Sequence, residues 1–211
     1  MTRSVLAVAT LLSVCAMAAA APPRAAATTG GPDVTTFLGY QTRTGKIYYE
    51  VTSFSEGPGT LVYSIAVDSI GRSLPNAYPI PSMPPNDFKA HEQWTQSTID
   101  SLRSSLVQPD TLPRARARVA SRILGTRLYS ASDDYTRRPQ FSIQVDLSVL
   151  ALSGHAVINT FCTPDLRLAE IFLVPGGTRA IARVVYTGLP YESCYDADTF
   201  VLLTLKKLSA R

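Results

Sequence analysis

Along this chain the hydrophobic positions change period twice. In the first block, "KIYYEVTS" (46–53) and "TLVYSIAVD" (60–68) are rich in Val, Ile, Tyr and Thr, the residues that suit a pleated, half-buried surface. Leu61, Tyr63, Ile65 and Val67 alternate with Val62, Ser64, Ala66 and Asp68, which predicts a strand with one apolar face. The intervening "FSEGPG" holds two glycines and a proline, so the pair reads as an antiparallel hairpin. "GRSLPN" (71–76) follows as a turn. Residues 77–87, "AYPIPSMPPND", have no hydrophobic period; their prolines cannot donate to a ladder, and they read as an extended surface connection.

The middle changes to a period of 3.6. In "AHEQWTQSTIDSLRSSLVQ" (90–108) Ile99, Leu102 and Leu106 share a face that His91 and Thr95 extend, and Pro109 marks its end. A second helix is predicted over 112–125, with Thr111 as cap, Leu112, Ala115, Val119 and Ile123 as its stripe and Gly125 as its stop. The same letters "RARARV" also alternate at period two, and the helix propensity of Ala and Arg favours the helix. Arg114, Arg118 and Arg122 would then form a row beside the stripe, a solvated face or a contact for phosphate or an anionic lipid headgroup.

The last block returns to period two. "QFSIQVDLSVL" (140–150) sets Phe141, Ile143, Val145, Leu147 and Val149 against Ser142, Gln144, Asp146 and Ser148. "LSG" reads as the turn into "HAVINTFC", followed by "LRLAEIFLV", "RAIARVVYT" and "TFVLLTLKK", separated by "PGGT" and "GLPYESCYDAD". The expected fold is α+β, with antiparallel β-meanders at both ends of the mature chain, one or two helices in the middle, and strands paired in sequence order. Two stretches, "TFLGYQTRTGKIYYEVT" (36–52) and "IFLVPGGTRAIARVVYT" (171–187), each set a Phe-Leu pair before a glycine turn and a β segment. Their likeness reads as shared strand-turn physics, not as internal duplication.

The N-terminus changes the picture of compartment. Arg3, an apolar run from Val5 to Met17 and small residues up to Ala20 have the layout of a secretory signal peptide, 1–20, with 21–32 as a disordered leader and 33–211 as one domain. Cys15, at the end of the apolar run, could itself be lipidated in bacteria, but Val14 stands before it where that processing site usually has Gly, Ala or Ser, so ordinary cleavage is expected. No later run is long enough to cross a bilayer. A secreted or periplasmic location follows, and the Ala, Pro and Arg content fits a GC-rich bacterial source. In an oxidising compartment the two remaining cysteines, Cys162 and Cys194, are expected to form a disulfide.

Candidate chemistry is reached mostly by exclusion. The formal net charge of +4 is mild and does not give the dense basic footprint of a nucleic-acid binder. No G-x-S-x-G occurs, and His91 and His155 are the only histidines, neither at zinc-ligand spacing. Asp196 and Asp198 open like a calcium loop, but Phe200 stands where the next oxygen ligand belongs, so neither a metal nor another cofactor is expected. The favoured contact surface is the loop "GLPYESCYDADTF", with Tyr191, Glu192, Tyr195, Asp196 and Phe200 as binding residues for a protein or glycan partner. This makes the chain a non-enzymatic binding module; the alternative is a cell-envelope hydrolase using His155 and nearby carboxylates.

Overall fold

A computed structural model describes residues 33–53, 59–78, 87–128, 137–160, 162–188 and 195–206. The signal and leader, most of the "FSEGPG" turn, most of the proline-dense connection, and Tyr191, Glu192 and Cys194 lie outside them.

The described chain is mostly antiparallel β, in two sheets with one helix placed mid-chain. The first sheet runs β1 (Val34–Gln41), β2 (Lys46–Ser53), β3 (Gly59–Ala66) and the short β4 (Asn76–Ala77), paired in that order. The Phe-Leu stretch before Lys46 is thus itself a strand. Gly45, at φ +65°, supplies the left-handed residue of the β1–β2 turn. Phe37 and Leu38 alternate to opposite sides of the sheet, each into a different core, and the bulge between Phe37 and Gly39 sets Leu38 and Gly39 on the same side.

Helix α1 (Phe88–Arg103) begins where the Asp87 carboxylate accepts a hydrogen bond from the Ala90 N–H at 2.9 Å. Ile99 and Leu102 pack on Leu38, Tyr48 and Val62, covering the outer face of the first sheet. The helix stops before Pro109 because the backbone has a better partner. Val107 and Tyr40 exchange both N–H···O bonds, at 2.8 and 2.9 Å, and the Gln108 amide reaches the carbonyl of the bulge residue Leu38 at 2.5 Å. Three residues on, Leu112 donates to Ile171 and Leu173 donates to Asp110. The segment 107–112 therefore lies along an edge of the first sheet and then along an edge of the second.

The second helix predicted over 112–125 is not there. After a 3-10 turn at Arg114–Arg116 these residues form β5 (Ala117–Leu128), paired along its length with β6 (Arg137–Leu147). Period-two alternation wins over propensity because β6 offers a ladder and Ala117 and Val119 pack against a buried core. Chain order in this sheet is also not sequential. It runs β5-β6-β7-β10-β9-β8, with β7 (Leu152–Asn159), β8 (Arg167–Leu173), β9 (Ala180–Thr187) and β10 (Asp196–Leu205). The last strand fits between β7 and β9, because β9 already pairs β8 through the 175–178 turn and leaves its other edge for β10. "LSG" belongs to β7; the turn before it is a 3-10 stretch at Ser148–Leu150 ending on Ala151 at φ 53°, which leaves Val149 exposed.

β7 and β10 pair only at Leu152–Leu205 and Ser153–Thr204. Beyond that two-residue seam they splay, so the sheet folds over on itself around Ile143, Val145, Leu147, Ile171, Val184, Val201 and Leu203. The opposite face of β9 and β10, carrying Ile181 and Phe200, packs on Ile47, Tyr49 and Ile65 of the first sheet. β9 and β10 are thus buried on both faces, which explains their near-continuous apolar sequences.

Candidate binding site

A cleft of about 720 Å³ opens where β7 and β10 part. Its walls are Thr35, Tyr49 and Tyr63 of the first sheet, Val157 and Asn159 of β7, Asp198 and Phe200 of β10, and the turn 70–75. At the far side of the splay the segment that follows β7 is tied to the end of β9 instead. Thr160 donates its hydroxyl to the Thr187 carbonyl at 3.0 Å, and the Cys162 Sγ lies 3.4 Å from the Gly188 carbonyl oxygen.

The cleft is apolar on one side and charged on the other, and strand alternation produces this. Along the face of β10 turned toward the first sheet come Asp196, Asp198, Phe200 and Leu202, in that order. Phe200 and Leu202 enter the inter-sheet core, and the aspartates continue the same face beyond it. Asp198 is only 15% exposed; its Oδ1 accepts the Thr35 hydroxyl at 3.0 Å and its Oδ2 accepts from the Arg183 guanidinium at 3.2 Å. Arg183 also donates through Nε to Glu170 at 2.8 Å, so one guanidinium joins two carboxylates on neighbouring strands. Burial pushes the Asp198 carboxyl above its usual range, and the Thr35 and Arg183 hydrogen bonds only partly oppose that.

Tyr49 and Tyr63 form the aromatic wall, with ring centroids 5.7 Å apart and planes at 21°. Phe200 meets Tyr49 at 4.9 Å in a tilted arrangement. Burial, reinforced by the Asp198 charge, raises the Tyr49 hydroxyl above its ordinary value, so it stays neutral across the physiological range. Leu74, 88% exposed, stands at the cleft with Arg72 and Ser73.

Of the residues expected to bind, Phe200 lines this cleft, buried as part of the core. Asp196 pairs with Arg167 at 2.6 Å, which holds the Arg167 guanidinium above its usual value. The Tyr195 carbonyl accepts from the Gly188 N–H at 2.7 Å and closes the base of the 189–194 loop. The cleft lining on β10 begins one residue after Asp196, at Ala197. Asp196 and Asp198 are held by separate arginines, and among the described residues no group of three or more His, Cys, Asp or Glu gathers. His155 is exposed on the outer face of β7 opposite Gln144 and does not line the cleft; His91 is on α1, its ring 6.3 Å from that of Trp94.

Sequence reasoning missed Thr35, Tyr49 and Tyr63 as a group, because strand pairing alone brings them to β10. Asp198 carried a usable signal: it shares the period-two face of Phe200 and Leu202, which marks a buried carboxylate. No family model, curated protein or solved structure matches the chain.

Proposed function

We propose that the chain is a secreted or periplasmic non-enzymatic binding module that seats a glycan-sized ligand in the cleft between the first sheet and β10. One observation carries the reading: the splay of β7 from β10 leaves a concave site within the size range of small-ligand pockets, with an aromatic wall beside fixed polar groups. Tyrosine rings offer sugar C–H faces an apolar platform, and Asn159, Thr199 and the remaining acceptor capacity of Asp198 suit hydroxyl groups. The loop holding Tyr191 and Glu192, which leads into β10 at Asp196, is proposed as the rim.

A Cys162–Cys194 disulfide would fix that rim. Cys162 is disulfide-bonded, buried and next to Gly188, whose N–H holds the carbonyl of Tyr195, the neighbour of Cys194. Binding is preferred to hydrolysis through His155 because the cleft carboxylate is already engaged by Thr35 and Arg183, and His155 stands outside the cleft.

The test is titration of the mature protein with a panel of soluble oligosaccharides. Binding that Tyr63→Ala or Asn159→Ala abolishes, and that Tyr191→Ala weakens less, is expected. Binding indifferent to Tyr63 and Asn159 but lost with Tyr191 would move the site to the loop; no binding to any oligosaccharide would remove the glycan reading.

A further inference from the structure

The arginines that a helix would have placed beside an apolar stripe lie on a strand instead, and the change alters what they can do. In a strand, Arg118 and Arg122 are four residues apart and share the outer face of β5, with Arg116 leading into them, and all three are exposed. In register, Arg118 is opposite Asp146 and Arg122 opposite Ser142. Asp146, however, is taken by Lys206 at 2.9 Å, and neither Arg118 nor Arg122 makes an ion pair with another described residue.

The charge is concentrated here. Residues 114–147 contain seven arginines and three aspartates, a surplus of four that equals the formal net charge of the whole chain, +4. A mild overall charge therefore hides a basic ribbon.

The ribbon is apolar where it leaves the body of the protein. Ala117 and Val119 pack over the core, but from Ala120 to Thr126 every residue of β5 is exposed. Ile123 is 68% exposed and Leu124 45%, adjacent at a bulge that Gly125, at φ +154°, completes. Among the described residues β5 pairs with no strand other than β6. Edge strands are usually blunted by charge, and two exposed aliphatic residues at such an edge mark a contact surface.

We propose that the β5–β6 ribbon attaches edge-on to anionic lipid bilayers, Arg116, Arg118 and Arg122 meeting the headgroups from its outer face while Leu124, beside them at the bulge, and Ile123, on the opposite face in register with Phe141, enter the interface. Arginine stems suit this role, since they lie along apolar surface while the guanidinium stays with phosphate. A neutral protein partner would leave the charge surplus unanswered, which is why the bilayer is favoured. Attachment would be peripheral, as no helix among the described residues is long and apolar enough to cross a membrane. The inference is independent of the cleft and stands or falls separately.

The experiment is co-sedimentation of the mature protein with vesicles of phosphatidylcholine alone or mixed in equal parts with phosphatidylglycerol. Binding is expected only to the anionic vesicles and should weaken with added salt. Arg118→Gln with Arg122→Gln should lower partitioning about thirty-fold, on the order of five-fold per arginine near the surface. Ile123→Ser with Leu124→Ser should lower it about ten-fold or more. All four residues are exposed, so unchanged melting temperatures will show that the variants fold. No sedimentation with anionic vesicles, equal sedimentation with neutral ones, or no effect of the Ile123 and Leu124 changes overturns the proposal. So does self-association in the absence of lipid that the Ile123 and Leu124 changes abolish, which would assign the edge to a second copy of the chain.

Discussion

The ring of Phe37, on β1, stacks on the ring of Phe172, on β8, with centroids 4.1 Å apart and planes at 16°. These are the phenylalanines of the two Phe-Leu stretches that resemble each other in sequence, and they meet where the edges of the two sheets come together. From Phe37 the aromatic contacts continue through Phe200 at 6.4 Å and Tyr49 at 4.9 Å to Tyr63, so a row of rings leads from the sheet junction to the cleft. Phe172→Ala should therefore destabilise the protein by about 3 kcal/mol or more. A cycle with Phe37→Ala should show a coupling of about 1 kcal/mol in denaturant unfolding. Additive effects would mean that the stack carries no energy beyond burial.

Asp198 sets a pH dependence with a definite sign. Its carboxyl is raised above the ordinary 3.8, so the folded state holds the proton more tightly than the unfolded chain. The resulting contribution is full below that ordinary value and is lost as the pH rises through the interval up to the raised one. Asp198→Asn should remove this slope from unfolding curves measured across the mildly acidic range. Asp146 acts in the opposite sense: Lys206 holds its carboxyl low, and its contribution is lost as the pH falls below 3.8. The two windows do not overlap, so the variant isolates Asp198.

Gly154 sits where β7 departs from β10. A Cβ there would run into the Leu202 carbonyl and lie 2.9 Å from the Leu203 Cδ2. The obstacle is mainly backbone, which cannot move without opening the seam. Gly154→Ala should cost at least about 2 kcal/mol in thermal or denaturant unfolding. A neutral outcome would show that the seam yields.

The proposed cysteine bridge has its own measurement. Cys194→Ser should cost about 3 to 4 kcal/mol if the bridge acts mainly by restraining the unfolded chain. Non-reducing peptide mapping should recover Cys162 and Cys194 as one linked pair, and free thiols at both positions would refute the link.

Where a segment's own pattern decides its partner, the sequence was a good guide. β2, β3 and β6 follow from alternation, and α1 from Ile99 and Leu102. β5 shows the limit, since "RARARV" satisfies two periods and only the ladder offered by β6 chooses between them. Strand order was beyond reach for a related reason: nothing in "TFVLLTLKK" tells β10 that its second neighbour is β7, because a strand apolar on both faces fits any interior place. The site was legible only in part. Phe200 and the carboxylates of β10 could be named from the chain, but Thr35 and Tyr49 reach Asp198 and Phe200 only once a segment from the opposite end of the fold is laid against them.

The place of β10 has a consequence for the order of events when the chain folds. Residues Val201 and Leu203 close one core while Phe200 closes the other, and the strand that supplies all three is the last one described. Neither core is complete until β10 is in place, and its pairing with β7 spans a long sequence separation, which slows folding. One strand thus couples the two cores: a change that dislodges β10 opens both at once, so they are expected to melt in a single transition.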